Sequence, residues 1–370
     1  MADPFKFADD LGPAKIIHVY EPAINLRAVL VVDNVALGPA LGGVRMAPDV
    51  TTEECFRLAR AMTLKNAAAG LAHGGGKVVL YGDPNMPKAD KERLIRALAC
   101  SLREVQEYIL APDMGTDEEC MAWVKDEIGR AAGLPEAIGG IPLDEIGATG
   151  WGLCQAAEIA AAYCGLQLKN ARVVIQGFGA VGKHAARFLA AQGAVTVGVS
   201  DSRGAVYNPD GLDVDALWKL KEASGSVADY RHGRKQAREE VVDFDCDIWI
   251  PAARPDVINK ENVRRLRAKL VVQGANIPVT AEAEQDLHDW GVLCVPDFIA
   301  NAGGVICAAM EYRGASQDEV FTAIKEKLRH NTRLVLDEAK AKNILPRQAA
   351  LNFAGQRVKK AMSYKRWSIF

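Results

Sequence analysis

The chain has no apolar stretch long enough to span a bilayer, and its first ten residues carry acids without a long apolar run. A membrane span and a secretory leader are therefore not expected. An excess of one charge is also missing. Over 370 residues the formal net charge is −2, which gives no electrostatic case for nucleic acid or an anionic membrane surface. The 8 cysteines are scattered and include no C-x-x-C pair, the pattern of reduced core thiols in a cytoplasm. The 6 histidines, His73 among them, form no ligand cluster, so no metal is expected. Internal repeats and low-complexity segments are absent too. What is present is 49% hydrophobic and 25% charged residues, enough for sizeable cores, at a length that suits two domains.

One stretch, residues 62–77, organises the reading as the end of a helix and a glycine loop. Thr51 opens a helix, and Glu54 three residues on completes a capping box. Cys55, Leu58, Ala59 and Met62 recur at helical spacing, so one face is buried. Lys65 lies close to that face, one turn before Gly70, a helix end. Gly74, Gly75 and Gly76 follow as a loop whose backbone can approach a ligand closely. The loop delivers Lys77, which leads into the apolar run Val78-Val79-Leu80. Two lysines converging on one pocket repel each other, and both pKa values should fall. One can bind a carboxylate while the other serves as a near-neutral base. The plainer reading is a solvated lysine and a flexible turn.

Upstream, residues 16–20 and 26–32 alternate as two antiparallel strands. Residues 38–46 contain Leu41-Gly42-Gly43, a backbone wall suited to a ligand. Residues 88–108 read as an amphipathic helix with Leu94, Leu98, Leu102 and Val105 inward. Residues 108–112 form a short strand, and Asp113 stands at its end. Asp113 either does chemistry there or caps the helix beginning near Thr116.

Near residue 140 the pattern changes, with Gly139-Gly140-Ile141-Pro142 as a hinge. A long helix from about Thr149 leads to a strand over 172–176. Gly177-Phe178-Gly179-Ala180-Val181-Gly182 follows, a complete G-x-G-x-x-G. A helix over 180–191 and a strand over 195–200 come next, and Asp201 lies nineteen positions past Gly182. That context marks a dinucleotide site, with the pyrophosphate on the helix N-terminus and Asp201 on the adenosine ribose hydroxyls. The acid favours NAD. Ser202 and Arg203 leave NADP open. Three further buried strands end near Ala252, Asn276 and Asn301, in small or amide residues against which a flat ring can lie. Residues 317–340 form a charge-laced helix expected to brace the first domain.

Thr63-Leu64-Lys65 followed by Gly74-Gly75-Gly76-Lys77 resembles the lysine pair of the glutamate/leucine/phenylalanine/valine dehydrogenase family. Further family motifs run from about Gly38 to about Tyr312. The resemblance implies an α/β protein of two domains with the catalytic cleft between them. Residues 1–140, joined by C-terminal helices over 335–370, would be a substrate-binding and oligomerisation domain. Residues 141–334 would be a Rossmann NAD-binding domain. The family reaction is reversible oxidative deamination of an L-amino acid to a 2-oxo acid and ammonia, in a homo-oligomer, a hexamer or octamer.

By the same resemblance Lys65 holds the substrate α-carboxylate, Lys77 activates water, and Asp113 moves a proton at the substrate nitrogen. Gly42 and Gly43 close the pocket floor, and Thr149, Ala252, Asn276 and Asn301 neighbour the cofactor. Glutamate-using members have a lysine at the position of Leu41 and a serine at that of Ala308. Both are apolar here, with Met46 nearby, which implies a branched or aliphatic amino acid. Phenylalanine is the nearest competitor, and residues 141–152 and 176–210 look more like glutamate dehydrogenases. Two readings of other classes stay open. One is a non-catalytic nucleotide sensor, which has no need of Lys65, Lys77 and Asp113 together. The other is a hydroxy-acid dehydrogenase, which wants a histidine beside an arginine, and none is evident.

Overall fold

A computed structural model describes residues 5–364. The chain forms two compact units. Of the described residues, one holds 5–142, Val305–Val320 and 352–364, and the other holds Leu143–Gly304 and Phe321–Leu351.

The first unit is built on a five-stranded sheet. Its strands are β1 (Lys15–Glu21), β2 (Leu26–Asn34), β3 (Ala40–Ala47), β4 (Gly74–Tyr81) and β5 (Tyr108–Pro112), in the order β1-β2-β4-β3-β5. β1, β2 and β4 pair antiparallel, and β3 pairs parallel to β4 and β5. Helix α1 (Thr52–Ala68) covers one face, where Cys55, Phe56 and Ala59 meet Val29, Val31 and Val79. Helices α2 (Lys88–Ser101) and α3 (Glu118–Ile128) cover the other. There Leu94, Ile95, Leu98, Met121 and Val124 pack on Leu30, Val44, Val78 and Leu80. Each such buried aliphatic side chain contributes about 1.5–3 kcal/mol.

α2 is shorter than the periodicity over 88–108 predicts. It stops at Ser101, because the Arg130 guanidinium donates to the carbonyls of Leu102, Arg103 and Val105 and holds them in a turn. The capping box at α1 is half formed. Thr51 Oγ1 accepts from the Glu54 N–H, while the Glu54 side chain binds Arg45 instead of turning back.

In the second unit seven strands line up. They are β6 (Arg172–Gln176), β7 (Val195–Ser200), β8 (Ala205–Tyr207), β9 (Arg234–Gln236), β10 (Ile248–Pro251), β11 (Leu270–Val272) and β12 (Leu293–Val295). Their order is β12-β11-β10-β6-β7-β8-β9, with β8 alone running against the others, antiparallel to both β7 and β9. The helices are α4 (Ala148–Tyr163), α5 (Ala180–Ala191), α6 (Val214–Ser224), α7 (Ala281–Asp289) and the short α8 (Asp297–Ala300). From β6 the chain first builds outward through β7, then returns to place β10 on the other side of β6. The gap between the ends of β6 and β10 is thus a topological switch point, where ligands bind in such sheets.

Three helices, α9 (Gly303–Glu311), α10 (Gln317–Lys342) and α11 (Pro346–Met362), complete the chain. The expectation that residues 317–340 brace the first domain is corrected. From Phe321 onward α10 groups with the second unit. The Phe321 carbonyl accepts from Trp151 Nε1, Arg329 pairs with Glu158, and Asp337 accepts from the Tyr163 hydroxyl, all on α4. Its charges match those of α4, which the helix pattern alone does not reveal.

His184 on α5 seats the start of α4. A side chain at Gly147 would come within 2.3 Å of its ring, and Trp218 meets the ring edge-on at 4.8 Å. Burial, aided by the charges of Lys183 and Arg187, lowers its pKa from 6.5 to about 4. Between those values the unfolded chain binds the proton and the folded one does not. The stabilisation is therefore complete above pH 6.5 and is lost as pH falls towards 4. It amounts to at most about 3 kcal/mol. Urea midpoints between pH 7 and pH 4.5 should fall, and His184→Gln should flatten that slope. An equal slope in the variant would assign it to other groups.

Candidate active site

Lys77 is carried by β4 on the face that α1 covers, and its side chain is 7% exposed. Its Nζ lies 2.7 Å from Asp113 Oδ2. The same oxygen accepts from Arg45 Nε at 3.0 Å, and Arg45 Nη1 reaches Glu54 Oε1 at 2.6 Å. Two cations and two carboxylates thus alternate along one line, Lys77, Asp113, Arg45, Glu54. Asp113 leaves β5 into a turn pinned by Thr116, whose hydroxyl accepts from the Asp113 N–H and donates to the Val44 carbonyl. Burial raises the Asp113 pKa, and the charges and hydrogen bonds of Lys77 and Arg45 outweigh it. The carboxyl is held below its ordinary 3.8, so it is ionised at neutral pH.

Strand alternation sorts the neighbouring residues. On β3, Leu41, Gly43 and Arg45 share the α1 face with Lys77 and Gly75 of β4. A side chain at Gly43 would meet Asp113 Cβ at 2.7 Å and Lys77 Nζ at 3.1 Å. The missing side chain is the space in which that pair meets. Met46 faces the other way. It is fully buried in the core under α2 and α3, with its methyl against Gly82. The expectation that Met46 lines the substrate pocket is corrected, because five residues from Leu41 on a strand is an odd step and reverses the face. Gly42 likewise points away, towards the Gly76 carbonyl and the Tyr108 hydroxyl.

Gly74, Gly75 and Gly76 are not a loop. They open β4 in the middle of the sheet, and all three are buried. A Cβ on Gly75 would sit 2.0 Å from the Thr63 nitrogen, and one on Gly76 would sit 2.9 Å from the Tyr108 ring. The glycines admit helix α1 and an aromatic ring to the strand. Lys65 lies on the last turn of α1, half-buried. Its neighbour Asn66 donates to the carbonyls of Leu41 and Gly74. That ties the end of this helix to both strands. Ala308 is buried on α9. The C-terminal Glu311 of that helix accepts from the N–H groups of Gly133, Leu134 and Ile141.

At the switch point of the second unit a cavity of about 1050 Å³ is lined by Gln176, Gly177, Phe178, Gly179, Asp201 and Ala252, among others. The three glycines differ in role. Gly177 has φ +98°, a turn that favours glycine. Beyond the Cβ position of Gly179 lies open space, and a Cβ on Gly182 would strike the Gly177 carbonyl at 1.8 Å. They serve the tight turn, the approach to a ligand, and the packing of helix on strand. No side chain caps the N-terminus of α5, which Ala180 and Val181 begin. Its free N–H groups suit a pyrophosphate. Gln176 Oε1 is buried without a partner beside them. The residues fit a dinucleotide.

Asp201 lies on this wall with its carboxylate already engaged. It accepts from the Arg203 and Val227 N–H groups, the Ser226 hydroxyl and Lys221 Nζ, and is 5% exposed. Lys221 sits twenty residues on in sequence and carried no signal. Ala252 leaves β10 and donates its N–H to the Gln176 carbonyl. Thr149, Asn276 and Asn301 lie outside the cavity lining. Asn301 Nδ2 donates to Asn276 Oδ1 at 3.0 Å, and Thr149 Oγ1 lies 3.0 Å from where Gly304 would carry a Cβ. Arg45, one alternation past Gly43 on β3, had been given no role by the sequence.

A dinucleotide cradle at a sheet switch point, with a buried lysine–carboxylate site in the other unit, defines a two-domain nucleotide-dependent oxidoreductase. Residues 139–366 match the family model Glutamate/Leucine/Phenylalanine/Valine dehydrogenase, and residues 19–130 match the model Glu/Leu/Phe/Val dehydrogenase, dimerisation domain. A glutamate dehydrogenase of Aeropyrum pernix is 38% identical over 90% of this chain and 85% of its own. The catabolic NAD-specific glutamate dehydrogenase RocG of Bacillus subtilis is 38% identical over 80% of this chain and 73% of its own. Among solved structures, the hetero-hexameric glutamate dehydrogenase of Thermus thermophilus in its Leu-bound form superposes with a TM-score of 0.86. It is 31% identical, over 96% of this chain and 91% of that one. The chain belongs to the glutamate/leucine/phenylalanine/valine dehydrogenase family and is an NAD(P)-dependent amino-acid dehydrogenase.

Proposed function

We propose that this enzyme catalyses reversible oxidative deamination of an apolar, branched or aliphatic L-amino acid to its 2-oxo acid and ammonia. The observation that carries the reading is Leu41, fully buried on the sheet face that also bears Lys77 and Gly43. Lys65 holds the substrate α-carboxylate as a point charge. Asp113, ionised and gripped by Arg45, takes the proton from the substrate ammonium. Lys77 must first release the proton it carries in its pair with Asp113, and as the neutral amine it then accepts a proton from the water that adds to the imino carbon. Gly43 keeps that space clear. Bound NAD(P)⁺ supplies the hydride acceptor, and the turn from Gly177 to Gly182 with Ala252, Thr149, Asn276 and Asn301 would hold it.

A panel of L-amino acids, followed by absorbance of the reduced nicotinamide, tests the reading. An aliphatic substrate is expected to give the highest kcat/KM. A chain that binds the dinucleotide and turns over no amino acid would be a sensor. Glutamate is the second reading, favoured by the names of the Aeropyrum and Bacillus relatives.

NAD is the expected cofactor, with NADP accepted less well. Asp201 places a negative charge by the adenosine ribose, and Lys221, paired with it, offsets part of the repulsion of a 2′-phosphate. Lys221→Ala should widen the NAD preference in kcat/KM, and a wild-type advantage for NADP would overturn this use of Asp201. The Thermus neighbour supports a hexamer, here of identical chains. The cysteine side chains, buried except for Cys100 and Cys164, support a reducing cytoplasm. Among the described residues no helix is long and apolar enough to cross a membrane.

A further inference from the structure

The second unit contains a buried ionic cluster that neither the dinucleotide cradle nor the lysine site uses. Arg347, at the start of α11, inserts its guanidinium among three side chains. Nε donates to Glu284 Oε2, Nη1 to Asp297 Oδ1 at 2.9 Å, and Nη2 to Gln273 Oε1 at 2.8 Å. Gln273 Nε2 closes the ring by donating to Glu284 Oε1 at 3.1 Å. Gln273, Glu284 and Asp297 are 0%, 1% and 6% exposed. Such a cluster is weak evidence of stability, since burying charges costs much of what pairing returns, and its best-attested use is to fix one conformation.

The conformation fixed here is identifiable. The second oxygen of Asp297 accepts from the Ile277 N–H at 2.9 Å. Ile277 has φ +48°, a left-handed backbone that a β-branched residue rarely adopts. It is 48% exposed, so side-chain packing does not explain it. Strain of this kind persists only where the surroundings over-determine it, and it gathers at functional sites. Asn276 precedes Ile277 directly and accepts from Asn301 Nδ2. The Asn301 N–H is in turn donated to the Asp297 carbonyl at 2.7 Å. Asp297 therefore holds both asparagines, and Arg347 holds Asp297.

We propose that Arg347 is a positioning residue for the cofactor. Through Asp297 it locks Ile277 in the left-handed conformation and so sets the two amides, Asn276 and Asn301, that meet the nicotinamide side. The second half of this statement rests on the reading of those asparagines as cofactor neighbours. The first half does not.

The test uses the full chain with Arg347→Met, Arg347→Lys and the double variant Arg347→Met/Ile277→Gly. Amide exchange at Ile277 is measured without cofactor, and the Kd of the reduced dinucleotide is measured by its fluorescence. Arg347→Met should speed exchange at Ile277 and weaken the dinucleotide roughly tenfold, or about 1.4 kcal/mol. The KM of the amino acid should move little. Arg347→Lys, which keeps the charge and loses the fork, should fall between. Adding Ile277→Gly should recover part of the lost affinity, because glycine adopts this backbone without strain. A merely structural arginine would not be rescued by a change at an exposed loop residue. Unchanged exchange at Ile277 in folded Arg347→Met would overturn the proposal, as would a double variant with no recovery. If Arg347→Met does not fold, Asp297→Asn carries the same measurements with the same expected directions. Asn276→Ala separates the two halves. Full dinucleotide affinity in that variant, with Ile277 still responding to Arg347, would remove the cofactor reading of Asn276 and leave the lock.

Discussion

Replacing Lys77 with alanine is expected to lower kcat by roughly 10²–10⁴, the range supplied by a positioned acid–base group. The dinucleotide should bind nearly as before, since its cradle from Gly177 to Gly182 lies in the other unit. The size of the effect follows from the surroundings of the side chain. Lys77 Nζ is held 2.7 Å from Asp113 and is almost wholly out of water, so no solvent group can take its place without reorganisation. The loss also reaches Asp113. With one of its two cationic partners gone, burial weighs more and its pKa should rise. The acidic limb of the residual activity should then move to higher pH, while Arg45 still keeps the carboxylate in position. Steady-state kcat at saturating substrate, with a separate dinucleotide titration, checks both points. Near-normal turnover would remove Lys77 from the chemistry. Lys65→Ala should behave differently. A group that binds the α-carboxylate throughout the reaction contributes uniform binding, so KM should rise far more than kcat falls.

The parts of this molecule that were legible in its sequence are those whose partners lie nearby in the chain. Residues 172–201 form strand, glycine turn, helix and strand as expected, because each step is local and only glycine suits Gly177, with its φ of +98°, and the tight seat of Gly182. The strands over 16–20 and 26–32 and the helix from Thr52 were legible for the same reason. Misreadings arose where a distant partner decides. Gly74 to Gly76 have the composition of a loop, and the demand for small residues comes from Thr63 on the covering helix α1 and from Tyr108 on β5. Glu54 has a capping partner three residues away, Thr51, and a stronger one, the Arg45 guanidinium, on β3. Arg130 ends α2 from nearly thirty residues downstream. Arg347 lies seventy-four residues from the Gln273 it binds, and no spacing rule connects them. The electrostatic partners of the site were therefore the least visible part, since a side-chain ion pair leaves no periodic trace in either strand.

The substrate side chain gives the second large expected effect. Leu41 is 1% exposed and lies on the face of β3 that Gly43 opens to Lys77 and Asp113, and Ala308 is 7% exposed on α9. The family resemblance implies a lysine and a serine at those two positions in glutamate-using members, where they would hold the distal carboxylate. Against leucine and alanine that carboxylate would lose its water without gaining a partner. The penalty is several kcal/mol even after relaxation, on the order of a thousandfold in kcat/KM. An aliphatic side chain loses nothing there and gains about 0.8 kcal/mol for each CH₂ it buries. The expected order is therefore leucine or valine first, phenylalanine next where Ala308 leaves room for a ring, and glutamate last. Leu41→Lys should invert the order by raising activity on glutamate and depressing it on leucine, and Ala308→Ser added to it should extend the gain. A lysine at so buried a position carries its own desolvation cost, so thermal midpoints belong beside the rates, to separate lost folding from altered choice. If unaltered enzyme used glutamate best, some basic group other than one at position 41 would have to reach the distal carboxylate. The apolar reading of Leu41 would then fail, while the roles given to Lys65, Lys77 and Asp113 would be untouched.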